Sequence, residues 1–155
     1  MKAGAFFDGD IYVWGRLSFH RIAGDVATGV TVHRLPFEEG IFSPFTLQQL
    51  NQGLLFLNNH KQLKLFSTVG GETLEDVGKD AQAILDTISE DASLDGPDMS
   101  YDPLSNAVYI HYGTTSGANT RGLIIDLDSG EFSHNDWDFE ISYYSESQNT
   151  LYGRS

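Results

Sequence analysis

Four short segments of the chain share one register, and that register limits the architectures open to it. They read Asp8-Gly9-Asp10-Ile11-Tyr12-Val13, Asn51-Gln52-Gly53-Leu54-Leu55-Phe56, Leu104-Ser105-Asn106-Ala107-Val108-Tyr109 and Ser147-Gln148-Asn149-Thr150-Leu151-Tyr152. Each is a polar turn, with Asp, Gly or Asn at its third position, that runs directly into an apolar strand. That third position falls at residues 10, 53, 106 and 149, giving spacings of 43, 53 and 43. Tyr101 with Tyr144, and Tyr109 with Tyr152, repeat the 43-residue interval. A period of this length belongs to stacked or radially arranged sheet units, because one small sheet cannot bury both of its faces alone.

The totals agree with a folded all-β chain. At 155 residues, with 40% hydrophobic and 12% aromatic side chains, the sequence supports a substantial core,. We expect one domain over 1–155, made of three repeats starting near 8, 51 and 104 and a partial fourth from 147. Gly is frequent at 16 and Pro scarce at 4, as many tight turns between short strands require,. The net charge of −13 disfavours direct nucleic-acid binding, which needs clustered Lys and Arg to displace counterions from phosphate,. The absence of cysteine removes disulfides, thiolate metal sites and cysteine nucleophiles,. The amino terminus lacks the apolar core of a signal peptide, and no stretch approaches the roughly 20 apolar residues that span a bilayer. A soluble protein of a cytoplasm-like compartment, without membrane insertion, is expected.

Alternation marks the strands. Ile11, Val13 and Leu17 fall on one face and Tyr12, Trp14 and Arg16 on the other,. Strands follow around Phe19–Ile22 and Gly29–Leu35, and Pro36 and Pro44 then bracket an irregular connection containing Glu38-Glu39-Gly40. Gly53–Leu57 and Gln62–Phe66 form a hairpin across Asn58-Asn59-His60-Lys61,. The period then changes: Leu74, Val77, Ala81, Ile84, Leu85 and Ile88 trace the stripe of an amphipathic helix over about 73–90, with Thr73 as its N-cap,. This insertion accounts for the longer middle interval. Ala107–Tyr112, Gly122–Leu127 and Glu131–His134 are strands, the last two joined by Asp128-Ser129-Gly130. Trp137, Phe139, Ile141 and Tyr143 alternate with Asp136, Asp138, Glu140 and Ser142 in the next,. The fourth repeat ends with its sheet incomplete, so either the N-terminal segment or another chain is expected to supply the missing pairing.

No catalytic signature stands out, and we expect no catalytic, cofactor or metal site. Asp126, Asp128 and Gly130 resemble a fragment of a calcium loop, but the distal Glu is missing and a hairpin turn explains them better,. Asp136, Asp138 and Glu140 could supply paired carboxylates for glycoside hydrolysis, although any solvent-facing acidic strand shows the same spacing,. His20, His33, His60, His111 and His134 are scattered without metal-ligand spacing,. The glycines at 70–71 and 113–117 lack the Lys of a phosphate-cradling loop,. The better candidates are the aromatics Tyr12, Trp14, Tyr112 and Trp137, as interface anchors or sugar platforms if surface-exposed, although core packing is the favoured place for most of them,.

The turn–strand units, with the Asp128-Ser129-Gly130 hairpin before an aromatic strand, resemble blades of β-propellers. Ser43-Pro44-Phe45-Thr46-Leu47, followed by Leu54–Leu57 and Leu63–Phe66, is similar to propeller-type virion proteins of tailed bacteriophages from the head-to-tail connector and tail nozzle. That resemblance covers roughly 43–125, and this chain is much shorter than those proteins. It implies a structural role in a symmetric virion assembly, with protein subunits as partners and no catalysis. The expected fold is therefore all-β and mainly antiparallel with one inserted helix: propeller-like blade repeats, open or compact, or alternatively a β-sandwich. A carbohydrate-binding module with a glycan ligand, and a glycosidase-like hydrolase, are the competing functional expectations.

Overall fold

The computed structural model describes residues 2–25, 27–89, 96–114, 121–135, 141–145 and 150–154. The chain divides into two compact units, Met1–Asp76 and Val77–Ser155. In the first, β1 (Ala3–Phe7), β2 (Asp10–Trp14), β3 (Phe19–Asp25) and β4 (Gly29–Arg34) form a four-stranded sheet in chain order. β5 (Leu47–Leu50), β6 (Gly53–Leu57), β7 (Leu63–Ser67) and β8 (Thr73–Asp76) form a second of the same order. In the second unit, β9 (Asp98–Asp102), β10 (Ala107–Tyr112), β11 (Arg121–Asp126) and β12 (Phe132–Asn135) repeat the meander, and β13 (Ile141–Ser145) pairs with β14 (Thr150–Arg154). Every strand pairing among the described residues is antiparallel, so the fold is mainly antiparallel β as expected.

The repeated register falls on one structural position. Asp8-Gly9 joins β1 to β2, Asn51-Gln52 joins β5 to β6, and residues 103–106 join β9 to β10, in each case the first turn of a sheet. The fourth copy's turn lies outside the described residues, between β13 and β14. Asp8 and Gly9 both adopt positive φ, 49° and 85°, the requirement of a two-residue hairpin whose twist matches its strands,. Asn106 does the same at 47°, where a small polar side chain tolerates the left-handed region,.

The helix expected over 73–90 is corrected. Thr73–Asp76 is a strand, followed by a 3-10 turn at Lys79–Ala81 and one α-helical turn, α1 (Gln82–Leu85). Leu74 lies opposite Phe66 across the sheet and packs on the first unit's core. Ladder hydrogen bonds to β7 and this burial outweigh a helix that Gly78 would weaken by about 1 kcal/mol. Only the later part of the stripe behaves helically, burying Ala81, Leu85 and Ile88.

The two sheets of the first unit are held by aromatic rings. Tyr12, Trp14 and Phe19 from the first sheet meet Leu54, Phe56 and Phe66 from the second, with Phe7, Leu35 and Ile41 closing the cluster. Trp14 stacks on Phe19 at 4.3 Å, Phe19 meets Phe66 edge-on at 4.9 Å, and Tyr12 tilts against Phe66 at 5.0 Å. Offset and edge geometries of this kind add about 0.5–1.5 kcal/mol each beyond area burial. The second sheet is buried on both faces, with Leu54 and Phe56 on one and Leu55 and Leu57 on the other. That explains the unbroken apolar run of β6.

Polar fastenings surround this cluster. Arg21 donates from Nε to Asp10 Oδ2 at 2.6 Å and from Nη1 to Glu72 Oε1 at 3.1 Å, which ties the first sheet to the segment entering β8. Buried Asn58 accepts at Oδ1 from the His60 and Gln62 amides and donates from Nδ2 to Glu39 Oε2 at 2.6 Å. Asn59 Oδ1 accepts from the Gly40 amide at 2.8 Å. Gly40 is constrained by contact, since a Cβ there would run into the Arg16 carbonyl. Replacing Trp14 with Ala is expected to lower the unfolding free energy by about 3–5 kcal/mol, read from a urea titration, because it empties the centre of the cluster.

Candidate functional site

The aromatics singled out as surface candidates are placed elsewhere. Tyr12 and Trp14 are 1% and 0% exposed and Tyr112 is 1% exposed, so none presents a ring to a ligand. The core placement favoured for most of these rings is what these three adopt, and the surface alternative is corrected for them: flat rings remove about 150–250 Å² each from water, which makes the inside of a sheet their lowest-energy position. Burial also pushes the Tyr12 phenol up, opposed by the positive charge of Arg21. Trp137, and the acidic strand of Asp136, Asp138 and Glu140, lie outside the described residues.

Asp126 builds a hairpin turn. Its Oδ1 accepts from the Ser129 amide at 2.8 Å and the Asp128 amide at 2.9 Å, and its carbonyl accepts from the Gly130 amide. Asp128 Oδ1 accepts from Asn106 Nδ2 at 2.7 Å, which joins this turn to that of β9 and β10. No group of three or more His, Asp and Glu side chains among the described residues is placed to hold a metal. His111 is fully buried and faces Asp98 across β9 and β10, with Nδ1 at 3.0 Å from Oδ1. The sequence hides this pair behind thirteen positions of hairpin, and its burial keeps the imidazole from any surface substrate.

What the structure exposes is the reverse of the first sheet. Phe6 lies opposite Ile11, Ile11 opposite Ile22, and Ile22 opposite Val32, so one apolar row crosses all four strands on the face away from the aromatic cluster,. Phe6 is 64% exposed, Ile11 46%, Val30 57% and Val32 64%. Alternation demands this once Tyr12 and Trp14 turn inward, because their neighbours must point out. At the end of the row stands β4, all six of whose residues are exposed and which pairs only with β3 among the described residues.

Charge sets this sheet apart. Residues 1–35 carry Lys2, Arg16, Arg21 and Arg34 against Asp8, Asp10 and Asp25, a net of +1, and the rest of the chain carries −14. The sequence contained the signal, in the apolar residues alternating with the buried aromatics, but the period alone does not say which face is inside. A recess of about 320 Å³ beside this sheet, lined by Arg21, His33, Arg34 and Glu72, is open, and Arg21 is already engaged by two carboxylates.

No helix among the described residues is long and apolar enough to cross a membrane. No protein-family model matches the chain, and no curated protein matches it.

Replacing Phe6 and Ile11 together with Ser is expected to change unfolding free energy by no more than about 1 kcal/mol, since exposed substitutions cost little. A chemical denaturation curve shifted as far as that of Trp14→Ala would place the row in the core. The exposed turns have a pH signature. Amide hydrogen bonds to the charged form hold the Asp126 carboxyl, through Ser129 and then Asp128, and the Asp25 carboxyl, through Thr28 and Ala27, below the ordinary carboxylate value. The stability they contribute is complete above the unfolded-state value and is lost as pH falls through the lowered folded value. Thermal melts from neutral to acid pH should therefore fall less steeply for the Asp25→Asn, Asp126→Asn double variant than for the unaltered protein.

Proposed function

We propose that this chain is a non-catalytic interaction subunit of a multi-subunit assembly, of the kind found in the head-to-tail and tail complexes of tailed bacteriophages. The observation that carries the reading is the outward-facing apolar row of exposed Phe6, Ile11 and Val32 with half-buried Ile22. A contiguous apolar surface crossing a whole sheet marks a contact in an assembly, whereas single exposed apolar side chains do not. Its reverse side is packed on the second sheet, so the first sheet has the composition of an inner layer with one side uncovered.

The finer architecture we propose is an array of blade-like units. Each of the three four-stranded sheets is a meander in chain order, the strand arrangement of a propeller blade, whereas sandwiches route their strands through Greek-key crossings,. The recurrence of the first hairpin turn at one position in each sheet supports the same reading. The acidic remainder of the chain keeps copies apart and directs contact to the first sheet.

Native mass spectrometry tests the function, on the protein alone and mixed with the purified products of genes adjacent to its own. A complex heavier than the 17.2 kDa chain is expected, and its binding to another gene product through the apolar face should be lost in the Phe6→Ser, Ile11→Ser double variant. A 17.2 kDa monomer in every mixture overturns the reading.

A further inference from the structure

We infer that the partner seated on the free edge of the first sheet is a second copy of this chain, joined strand to strand through β4 about a two-fold axis at Val32. The inference rests on the assembly reading above and adds a contact at the sheet's edge, which leaves the apolar face for the rest of the assembly. Leu35 donates its amide to the Phe19 carbonyl. In an antiparallel ladder the inward and outward groups alternate, so His33 and Thr31 also bond toward β3. The amides and carbonyls of Val30, Val32 and Arg34 therefore point away from the sheet.

That outward set is self-complementary. With two copies antiparallel, Val32 exchanges both backbone hydrogen bonds with Val32 of the second copy, and Val30 and Arg34 exchange theirs reciprocally. The register keeps faces matched: Val32 of each copy lies on the outer face, so the row from Phe6 to Val32 continues into its counterpart in one eight-stranded sheet. A slip of one residue would set an outer-face side chain against an inner-face one. The pairing is isologous and closes at two copies.

The absence of edge protection favours this partner, and charge permits it only at the first sheet. Two chains of net charge −13 repel over most of their surface, whereas the first sheet carries +1. Within β4 the two Arg34 side chains fall at opposite ends of the joint, each beside Val30 of the other copy, and no like charges lie directly opposite. Sheet edges are ordinarily guarded by Pro, charged side chains, a bulge or a covering segment. β4 contains no Pro, carries Arg34 as its one charged side chain at its last position, pairs with β3 residue for residue without a bulge, and is exposed throughout. The hairpin behind it is firmly made, with Asp25 Oδ1 accepting from the Ala27 and Thr28 amides at 2.7 Å, so the edge is held in place before a partner arrives.

Two variants test it. Val32→Pro removes an amide that faces away from β3, and an edge strand tolerates Pro there. Sedimentation velocity over a concentration series should show a dimer for the unaltered protein and a monomer for Val32→Pro, with unchanged far-UV circular dichroism. Val32→Cys introduces the chain's only thiol. Under mild oxidation it should form a single reducible dimer, because residues facing each other in a hydrogen-bonded pair lie about 5.5 Å apart at Cα, within disulfide reach. An unaltered protein that stays monomeric throughout, with no Val32→Cys cross-link, overturns the β4 pairing, and the assembly reading is then judged by the mixtures described above. An oligomer that persists in Val32→Pro also overturns the β4 pairing while leaving the assembly reading standing.

Discussion

The stacking of Trp14 on Phe19, wedged among Tyr12, Phe56 and Phe66, is the contact on which the first unit depends. It brings two meanders together on one face each, and its area dwarfs what Ile11 or Val13 would have removed from water in the same places. The Trp14 indole N–H has no hydrogen-bond acceptor among the described residues, a cost of about 1–3 kcal/mol that the packing offsets,. Strand alternation carries the consequence across the sheet. With Tyr12 and Trp14 inside, Phe6, Ile11, Ile22 and Val32 are outside together,.

Around that cluster the connections are secured by groups that satisfy backbone donors. Asn58, Asn59 and Glu39 hold the irregular segment that returns from β4, and Gly40 lets its backbone pass close to Arg16. Arg21 holds two carboxylates at the sheet boundary, where a planar guanidinium can meet both,. The half-exposed Arg21 pairs add little net stability through Coulomb attraction alone. They specify which turn of the second sheet meets which strand of the first, and so help to orient the outer face.

Much of the strand layout was legible in the sequence. Turn chemistry is local: Asp8-Gly9, Asn58–Lys61 and Asp128-Ser129-Gly130 each mark a hairpin, because their residues tolerate or require the conformations that reverse a strand,. The structure departs from the helix expected over 73–90 because the spacing of Leu74 and Val77 fits a helical stripe, while Leu74 is held by its neighbour Phe66, eight positions away. Periodicity reports which residues are apolar in a local frame; a ladder partner lies outside that frame.

The exposed face was legible only in half. The sequence by itself determined that Ile11 and Val13 oppose Tyr12 and Trp14, since a strand's two-residue period admits no other division. It also determined the turn register and the contrast between a first sheet of net charge +1 and an acidic remainder. Which side faces inward was decided by the tertiary structure alone. Burial is settled by competition among all surfaces at once, and the second sheet offered Leu54, Phe56 and Phe66 to the aromatics. The same choice left an apolar face and a free six-residue edge in solvent.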